Sequence, residues 1–430
     1  MRGQRLWEGT SMEGQQETRL CAKLVQCEST DPGAFEGAME RLVKAWLKEH
    51  VSHAGLDDVV VFQELQALPG RPCLSATIPD RNGSCQGALV FCCHLDTVVA
   101  GDGWSASIDP FGGQVKDGLL YGRGSCDMKG GLACALLAFD DLLQEVSRAR
   151  WEAGCHQTCA CSGDEDPQKD LGWLPRRALT MLLTVDEEDF MRGIEAVLDA
   201  GWLDRNCWVV DTEPTDGCAR ISHKGRTWFE VDIQGVTAHA STPWKGADAV
   251  AAAAEFVCHL RAAIAALPSH PELGASTVTF GQIQGGYRPY VVPDHAHLWI
   301  DMRLVPPATT ELAQKLVAKA LDEASQAVPG TQGSFTVTGD RAPVERDPDS
   351  RLLASLEAAS KEATGAAAPI DIFTGYTDTA VMAAATGNLE FLSYGPGSLE
   401  VAHKPNEHVP VADLVRVRRV LSQLAADCCL

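Results

Sequence analysis

The sequence predicts an α/β protein whose mixed-sheet domain is interrupted by an inserted α+β domain. Three observations carry that expectation. Three short apolar runs, Ala88–Cys93, Leu179–Val185 and Cys207–Val210, each lead into imidazole or carboxylate residues. Buried strands of an open α/β sheet look like this where a site is built at their carboxyl ends. Residues 226–339 follow a different rhythm, strand–helix–strand–strand–helix–strand, which is the order of a ferredoxin-like unit. At 430 residues the chain is also long for one hydrophobic core, so two domains are the default. The expected bounds are 17–220 and 341–430 for the two parts of the outer domain and 221–340 for the insertion.

Taken in order, Glu17, Leu20, Ala22, Leu24 and Val25 open a helical pattern. A Ser-Thr-Asp-Pro-Gly loop at 29–33 stops it, and Ala34–Leu47 resumes helical spacing. Asp57–Leu65 and Cys73–Ile78 read as strands. Ala88–Cys93 is apolar throughout and reads as a buried strand ending in His94-Leu95-Asp96. Gly130–Leu143 is a helix. Leu179–Val185 and Cys207–Val210 are buried strands ending in Asp186-Glu187-Glu188 and Asp211-Thr212-Glu213. Arg226–Ile233 alternates as a half-buried strand, and Gly246–Ala266 is an Ala-rich helix. Ser276–Ile283 and His295–Leu304 are strands, Thr310–Ala327 a helix and Ser334–Gly339 a strand. The outer domain returns with the helix Ser350–Thr364, a Gly/Ala-rich segment, and a last strand, Leu389–Tyr394, before His403. Two segments stand apart. The first dozen residues are polar and patternless, as in a loose tail. The stretch 148–177, with Cys155, His156, Cys159 and Cys161, matches no standard zinc spacing and reads as a long surface loop.

Composition narrows the function. Hydrophobic residues at 45% and charged residues at 22% belong to a globular chain rather than a disordered one. A formal net charge of −22 repels nucleic acid and anionic membrane surfaces and leaves a small molecule or peptide as the expected partner. Sixteen cysteines suggest a disulfide framework until their places are read. Cys92 and Cys93 lie in an apolar strand, Cys126 in a Gly-rich turn and Cys134 in an Ala/Leu-rich helix, all positions of small buried hydrophobes. With no apolar signal region and no apolar run near 18 residues, a reducing cytoplasm is the expected location.

The chemistry lies in five short stretches. His94 and Asp96 alternate on a strand and so share a face, where Asp96 is placed to accept the second imidazole N–H and fix the tautomer. Asp127 sits in Gly122–Gly131, a turn before a helix whose glycines permit close backbone approach. The spacing fits neither Gly-x-Gly-x-x-Gly nor a Walker loop, which argues against a nucleotide-binding protein. A carboxylate at that place can bridge two cations. Glu187 and Glu188 are neighbours at a strand end and face opposite ways, one towards metal and the other towards a substrate water. Two like charges so close have their pKa values pushed apart. Glu213 and His403 complete the set. Two histidines, three carboxylates and one spare glutamate are what a pair of zinc ions needs: His94, Asp127 and Glu213 for one, and Asp127, Glu188 and His403 for the other. A water bridging ions ~3.5–4 Å apart would titrate near neutral pH and supply hydroxide.

With these motifs the chain resembles the acetylornithine deacetylase / succinyl-diaminopimelate desuccinylase family of co-catalytic zinc metallopeptidases, relatives of aminoacylases and glutamate carboxypeptidases. The resemblance is carried by His94-Leu-Asp-Thr-Val98, Tyr121-Gly-Arg-Gly-Ser-Cys-Asp-Met-Lys-Gly130, Asp186-Glu-Glu188 and Glu213-Pro-Thr215. Gly235-Val-Thr-Ala-His-Ala-Ser-Thr242 and the segment Tyr394–Glu407 extend it to nearly the whole chain from about residue 17, with 148–177 as an insertion. It implies a zinc-peptidase catalytic domain with an inserted ferredoxin-like lid and dimerisation domain. It also implies two divalent metals, zinc with cobalt or manganese as substitutes, on His94, Asp127, Glu188, Glu213 and His403. Glu187 is then the general base, Asp96 supports His94, and a non-proline cis peptide follows Asp127. His239 is the lid histidine that serves the partner subunit's oxyanion, and Arg303 is placed to bind a substrate carboxylate. Two positions depart from the family pattern. Tyr290 stands where an asparagine is usual, and Tyr376 replaces a glycine in Gly375-Tyr-Thr-Asp-Thr379. Together with Trp244 they suggest a larger or more aromatic group on the substrate. The implied activity is hydrolysis of an N-acyl amino acid or short peptide by a homodimer. An exo-dipeptidase or carboxypeptidase with the same site is the alternative, and a silent ligand-binding relative is disfavoured by the intact Glu187 and ligand set.

Overall fold

The computed structural model describes residues 14–154 and 171–430, so Cys155, His156, Cys159, Cys161 and the polar start up to Met12 lie outside the described residues. The chain divides into two compact units. The first runs to Ile221 and resumes as Arg346–Asp371 and Thr377–Leu430, and the second is Ser222–Glu345 with Ile372–Tyr376.

An eight-stranded mixed sheet organises the first unit. Its spatial order is Ile370–Phe373, Ala219–His223, Phe391–Ser393, Trp208–Asp211, Leu89–His94, Leu179–Thr184, Arg71–Ile78 and Val61–Leu68. The four strands from Phe391–Ser393 to Leu179–Thr184 are parallel neighbours, and antiparallel strands flank them. Because parallel strands point the same way, the runs that end in His94, Glu187, Glu213 and Tyr394 all end on one edge. Register confirms this: His94 pairs with Thr184, and Asp211 pairs with both Cys92 and Ser393. Phe91, Leu183, Leu132, Phe139 and Leu421 are fully buried in the core between this sheet and the helices Lys129–Glu152 and Val411–Cys429. Cys92, Cys93, Cys126 and Cys134 are buried free thiols.

Several bounds differ from the sequence reading. The strand expected at Asp57 starts at Val61, because Leu56, buried, accepts the N–H groups of Val59 and Val60 in a turn that ends the preceding helix. The helix expected over Gly130–Leu143 continues to Glu152, its last turns tied down by Arg150 on the Asp58 carboxylate at 2.7 Å. Three helices had no counterpart in the reading: Arg192–Asp199, Asp378–Thr386 within the Gly/Ala-rich segment, and Val411–Cys429.

The second unit is a four-stranded antiparallel sheet in the order Thr277–Gly285, His295–Leu304, Gly225–Gln234, Gln332–Arg341, with the helices Ala249–Ala265 and Thr310–Ala327 packed on it. This is the expected ferredoxin-like order. Phe229, Phe256, Leu298 and Val317 fill its core. The first helix begins three residues later than expected, because Pro243–Lys245 forms a separate 3-10 turn. Asp248 then caps the helix through the amides of Val250 and Ala251. Among the described residues no helix is long and apolar enough to cross a membrane.

Candidate metal centre

Asp127 is the hub of the first unit's site. One of its oxygens, Oδ1, lies 3.2 Å from Nε2 of His94, and the other, Oδ2, lies 3.3 Å from Nε2 of His403. The same His403 nitrogen is 2.9 Å from Glu188 Oε2, and the same His94 nitrogen is 3.7 Å from Glu213 Oε1. Two ligands that share a tetrahedral ion at ~2.0–2.1 Å sit about 3.3 Å apart, so these spacings fit donors that converge on a common ion. In these closest approaches the two histidines meet at Asp127, each on a different oxygen of it. That is the donor arrangement for two cations bridged by one carboxylate. Among the described residues, ligand atoms of His94, Asp127 and Glu188, and of His94, Glu187 and Glu213, all fall within 4.8 Å of one another.

Local structure explains the convergence. His94 is the last residue of its strand, and Glu213 follows the neighbouring strand by two. Asp186 takes a left-handed conformation, φ 68°, so the chain bends just past the strand Leu179–Thr184 and turns Glu187 and Glu188 inward. His403 (φ 61°) sits in the loop between the strands Phe391–Ser393 and His408–Pro410 and remains half-exposed, whereas His94 is buried. The Asp127–Met128 peptide is cis.

The surrounding shell departs from expectation in one respect. The His94 Nδ1–H donates to the backbone carbonyl of Asp96 at 3.0 Å, while the Asp96 carboxylate stands 3.7 Å away. That carboxylate is engaged elsewhere, since Oδ2 accepts the Glu188 amide at 3.0 Å. Asp96 therefore holds both His94 and the glutamate pair, one through its main chain and the other through its side chain. A further residue escaped the sequence reading. Glu407 Oε1 accepts the amides of Cys126 and Asp127, at 2.9 and 3.1 Å, while Oε2 pairs with buried Arg123. The available signal was an Arg and a Glu inside two of the motifs.

Burial and charge act together here. Hydrogen bonds to Asp127 and Glu188 push His403 up to about 11. Burial raises Glu187, Glu188 and Glu213. The charge of Asp127 adds to this at Glu188 and Glu213, and that of Asp378 at Glu187. For Asp127 burial acts in the same direction, but the two imidazoles outweigh it and hold its carboxyl below the usual range. So many carboxylates out of water are stabilised by cations placed among them.

The other expected site residues belong to the second unit and are described there. His239 is exposed, and its Nδ1 accepts the Ser241 N–H at 3.2 Å, which assigns the remaining ring proton to Nε2. Tyr290 is 58% exposed. Arg303 is forked on Asp301, Nε to Oδ1 at 2.8 Å and Nη2 to Oδ2 at 3.1 Å. Trp244 is exposed, but Tyr376 is buried against His223 with ring centroids 6.2 Å apart, so it fills interior space within its unit.

Residues 90–150 match peptidase family M20/M25/M40, and residues 221–328 match the peptidase dimerisation domain. An acetylornithine deacetylase of Myxococcus xanthus is 29% identical over 353 residues, covering 81% of this chain and 82% of that protein. A probable succinyl-diaminopimelate desuccinylase of Staphylococcus epidermidis is 24% identical over 426 residues, 93% and 94% of the two chains. Among solved structures, an M20 family metallo-carboxypeptidase from Sulfolobus solfataricus has the same fold, with a TM-score of 0.71 at 15% identity over 95% of this chain and 98% of that one. A dinuclear metal binding peptidase of the M20 family from Bacillus subtilis gives 0.65 at 14% identity over 96% and 98%.

Proposed function

Because the chain carries the peptidase and dimerisation domains of the M20 family, we propose that it is a two-metal amidohydrolase acting on an N-acyl amino acid or short peptide. The observation that carries this reading is the Asp127 carboxylate, whose two oxygens face two different imidazoles. His94, Asp127 and Glu213 would hold one cation, and Asp127, Glu188 and His403 the other. A mixed imidazole and carboxylate set suits zinc, with cobalt or manganese able to replace it. When bound, the metals supply a Lewis acid for the scissile carbonyl and lower the pKa of a water beside them.

The chain's own groups do the rest. Glu187, buried beside His94 and Glu213, accepts the proton of the attacking water and delivers it to the leaving amine. Asp96 keeps His94 in the tautomer that leaves Nε2 free to ligate. His239 offers Nε2–H to the developing oxyanion in the partner subunit's site, which makes the working enzyme a homodimer joined through the second unit. Arg303 is the proposed anchor for a substrate carboxylate, and exposed Tyr290 and Trp244 favour a bulky or aromatic acyl group. Free buried thiols suit a cytoplasmic enzyme.

The test is amine release from a panel of N-acetyl, N-succinyl and N-aromatic-acyl amino acids and dipeptides, with chelated protein compared with zinc- or cobalt-restored protein. Turnover that returns with metal and is lost in Glu187→Ala is expected. Failure to bind two metals per chain would sink the reading.

A further inference from the structure

A third group of acids, Asp31, Glu36 and Asp96, brings its oxygens within 4.8 Å of one another beside the metal cluster. Two of these acids, Asp31 and Glu36, share a side-chain cation with Asp186. Arg71, 7% exposed, donates Nε to Glu36 at 2.7 Å and Nη2 to Asp31 at 2.5 Å, and its Nη1 lies 3.2 Å from Asp186 Oδ1. Glu36 and Asp186 are fully buried, and Glu36 Oε1 also accepts the Asp186 amide at 3.1 Å. Asp186 is the left-handed residue that turns Glu187 and Glu188 into the site. Its other oxygen takes the Arg192 side chain at 2.6 Å. On the far side of Glu187, the Glu188 amide is held by Asp96, the third acid of the group.

We propose that Arg71 is the positioning residue for the Glu187–Glu188 turn, acting through Glu36 and Asp186; the proposal rests on reading Glu187 as the base. A left-handed conformation at a residue other than glycine is unfavourable and persists only where its surroundings over-determine it. Here the peptide of Asp186 is pinned by Glu36 and its carboxylate by two arginines. Two acids so close and so deeply buried are held together by the cation between them. A guanidinium reaches three carboxylates at once because its donors spread in a plane. An ammonium at the same place is a point charge that cannot keep all three directions.

The experiment uses the metal-loaded, full-length protein and its Arg71→Lys and Glu36→Gln variants. Amide hydrogen exchange is read over residues 185–192, with 90–96 as the reference, together with metal content, kcat and KM. The expected result is exchange at Asp186 and Glu188 at least about tenfold faster, with the reference segment unchanged. Two metals should remain bound, and kcat should fall at least about tenfold while KM stays within about twofold. Unchanged exchange and kcat in folded Arg71→Lys would overturn the proposal, as would parallel loss of metal and activity, which would make Arg71 a support of the ligands instead. Glu36→Gln removes one acid from a surplus and gives the same reading if Arg71→Lys does not fold. Exchange does not depend on any substrate, so it tests the clamp alone. Full turnover by Glu187→Ala would instead refute the base and leave the clamp standing.

Discussion

Arg123 is 1% exposed, and its guanidinium is shared between the Glu407 carboxylate and the carbonyls of Val99 and Ala100. Replacing it with methionine leaves Glu407 buried without its counter-charge. Arg123→Met is therefore expected to destabilise the fold by about 3–5 kcal/mol, read as a lower urea midpoint. His223 makes a pH prediction. Burial pushes its pKa down to about 3, whereas in the unfolded chain it titrates near its ordinary value of 6.5. Below that value the unfolded state binds a proton that the folded state refuses, so stability is full above pH 6.5 and is lost as the pH falls towards the folded value. Between pH 6.5 and 5 the loss is about 2 kcal/mol. Thermal unfolding of His223→Gln should show a shallower acid limb than wild type over that window. Residues of this kind are poorly legible in sequence. The proposed ligands His94, Glu188 and Glu213 stand out by type and by place just at or past strand ends, but nothing near Glu407 says that it will meet an arginine 284 residues away.

Among elements, the helix Lys129–Glu152 presses its first turn against the loop that carries Glu213. A Cβ on Gly131 would stand 1.9 Å from the Thr212 carbonyl oxygen, a contact that only backbone movement relieves. Gly131→Ala is expected to cost about 1–3 kcal/mol of stability and to shift Glu213. Metal titration should then show the His94–Asp127–Glu213 ion weakened more than its neighbour. The elements that build the site were the most readable ones, because buried parallel strands are apolar from end to end and their polar terminations stand out. Asp378–Thr386 gave no such signal, since a short helix buried along most of its length has no polar face to set its period. The helix Val411–Cys429 did have one, with Leu414, Val417, Leu421 and Leu424 buried at helical spacing, and it lay within reach of the pattern.

For the molecule as a whole, the proposed homodimer predicts complementation. Mixing Glu187→Ala with His239→Ala after dissociation and reassociation creates heterodimers in which one site has an intact base and the partner's intact histidine. If His239 serves the other subunit, two inactive proteins should recover about a quarter of wild-type activity, since half the dimers are mixed and each carries one good site. No recovery would put His239 in its own chain's site. Chelation should lower the melting temperature in proportion to how tightly the metals bind, because they bind the folded chain alone. Residue type and local period were enough to read the parallel strands, the polar residues at their ends that are proposed as metal donors, and the α+β insertion that interrupts the outer domain. These follow from side-chain chemistry and from spacings of two or 3.6 residues, which are written along the chain. Packing alone decided that Asp127 turns one oxygen to each imidazole, that Asp96 holds His94 by its carbonyl, and that Arg71 lies among Asp31, Glu36 and Asp186. The first and last join charged groups 33 residues or more apart in sequence, and a charge out of water takes whichever partner the fold brings within reach; the second is local, and only the bend of the chain after His94 chooses the carbonyl of Asp96 over its carboxylate.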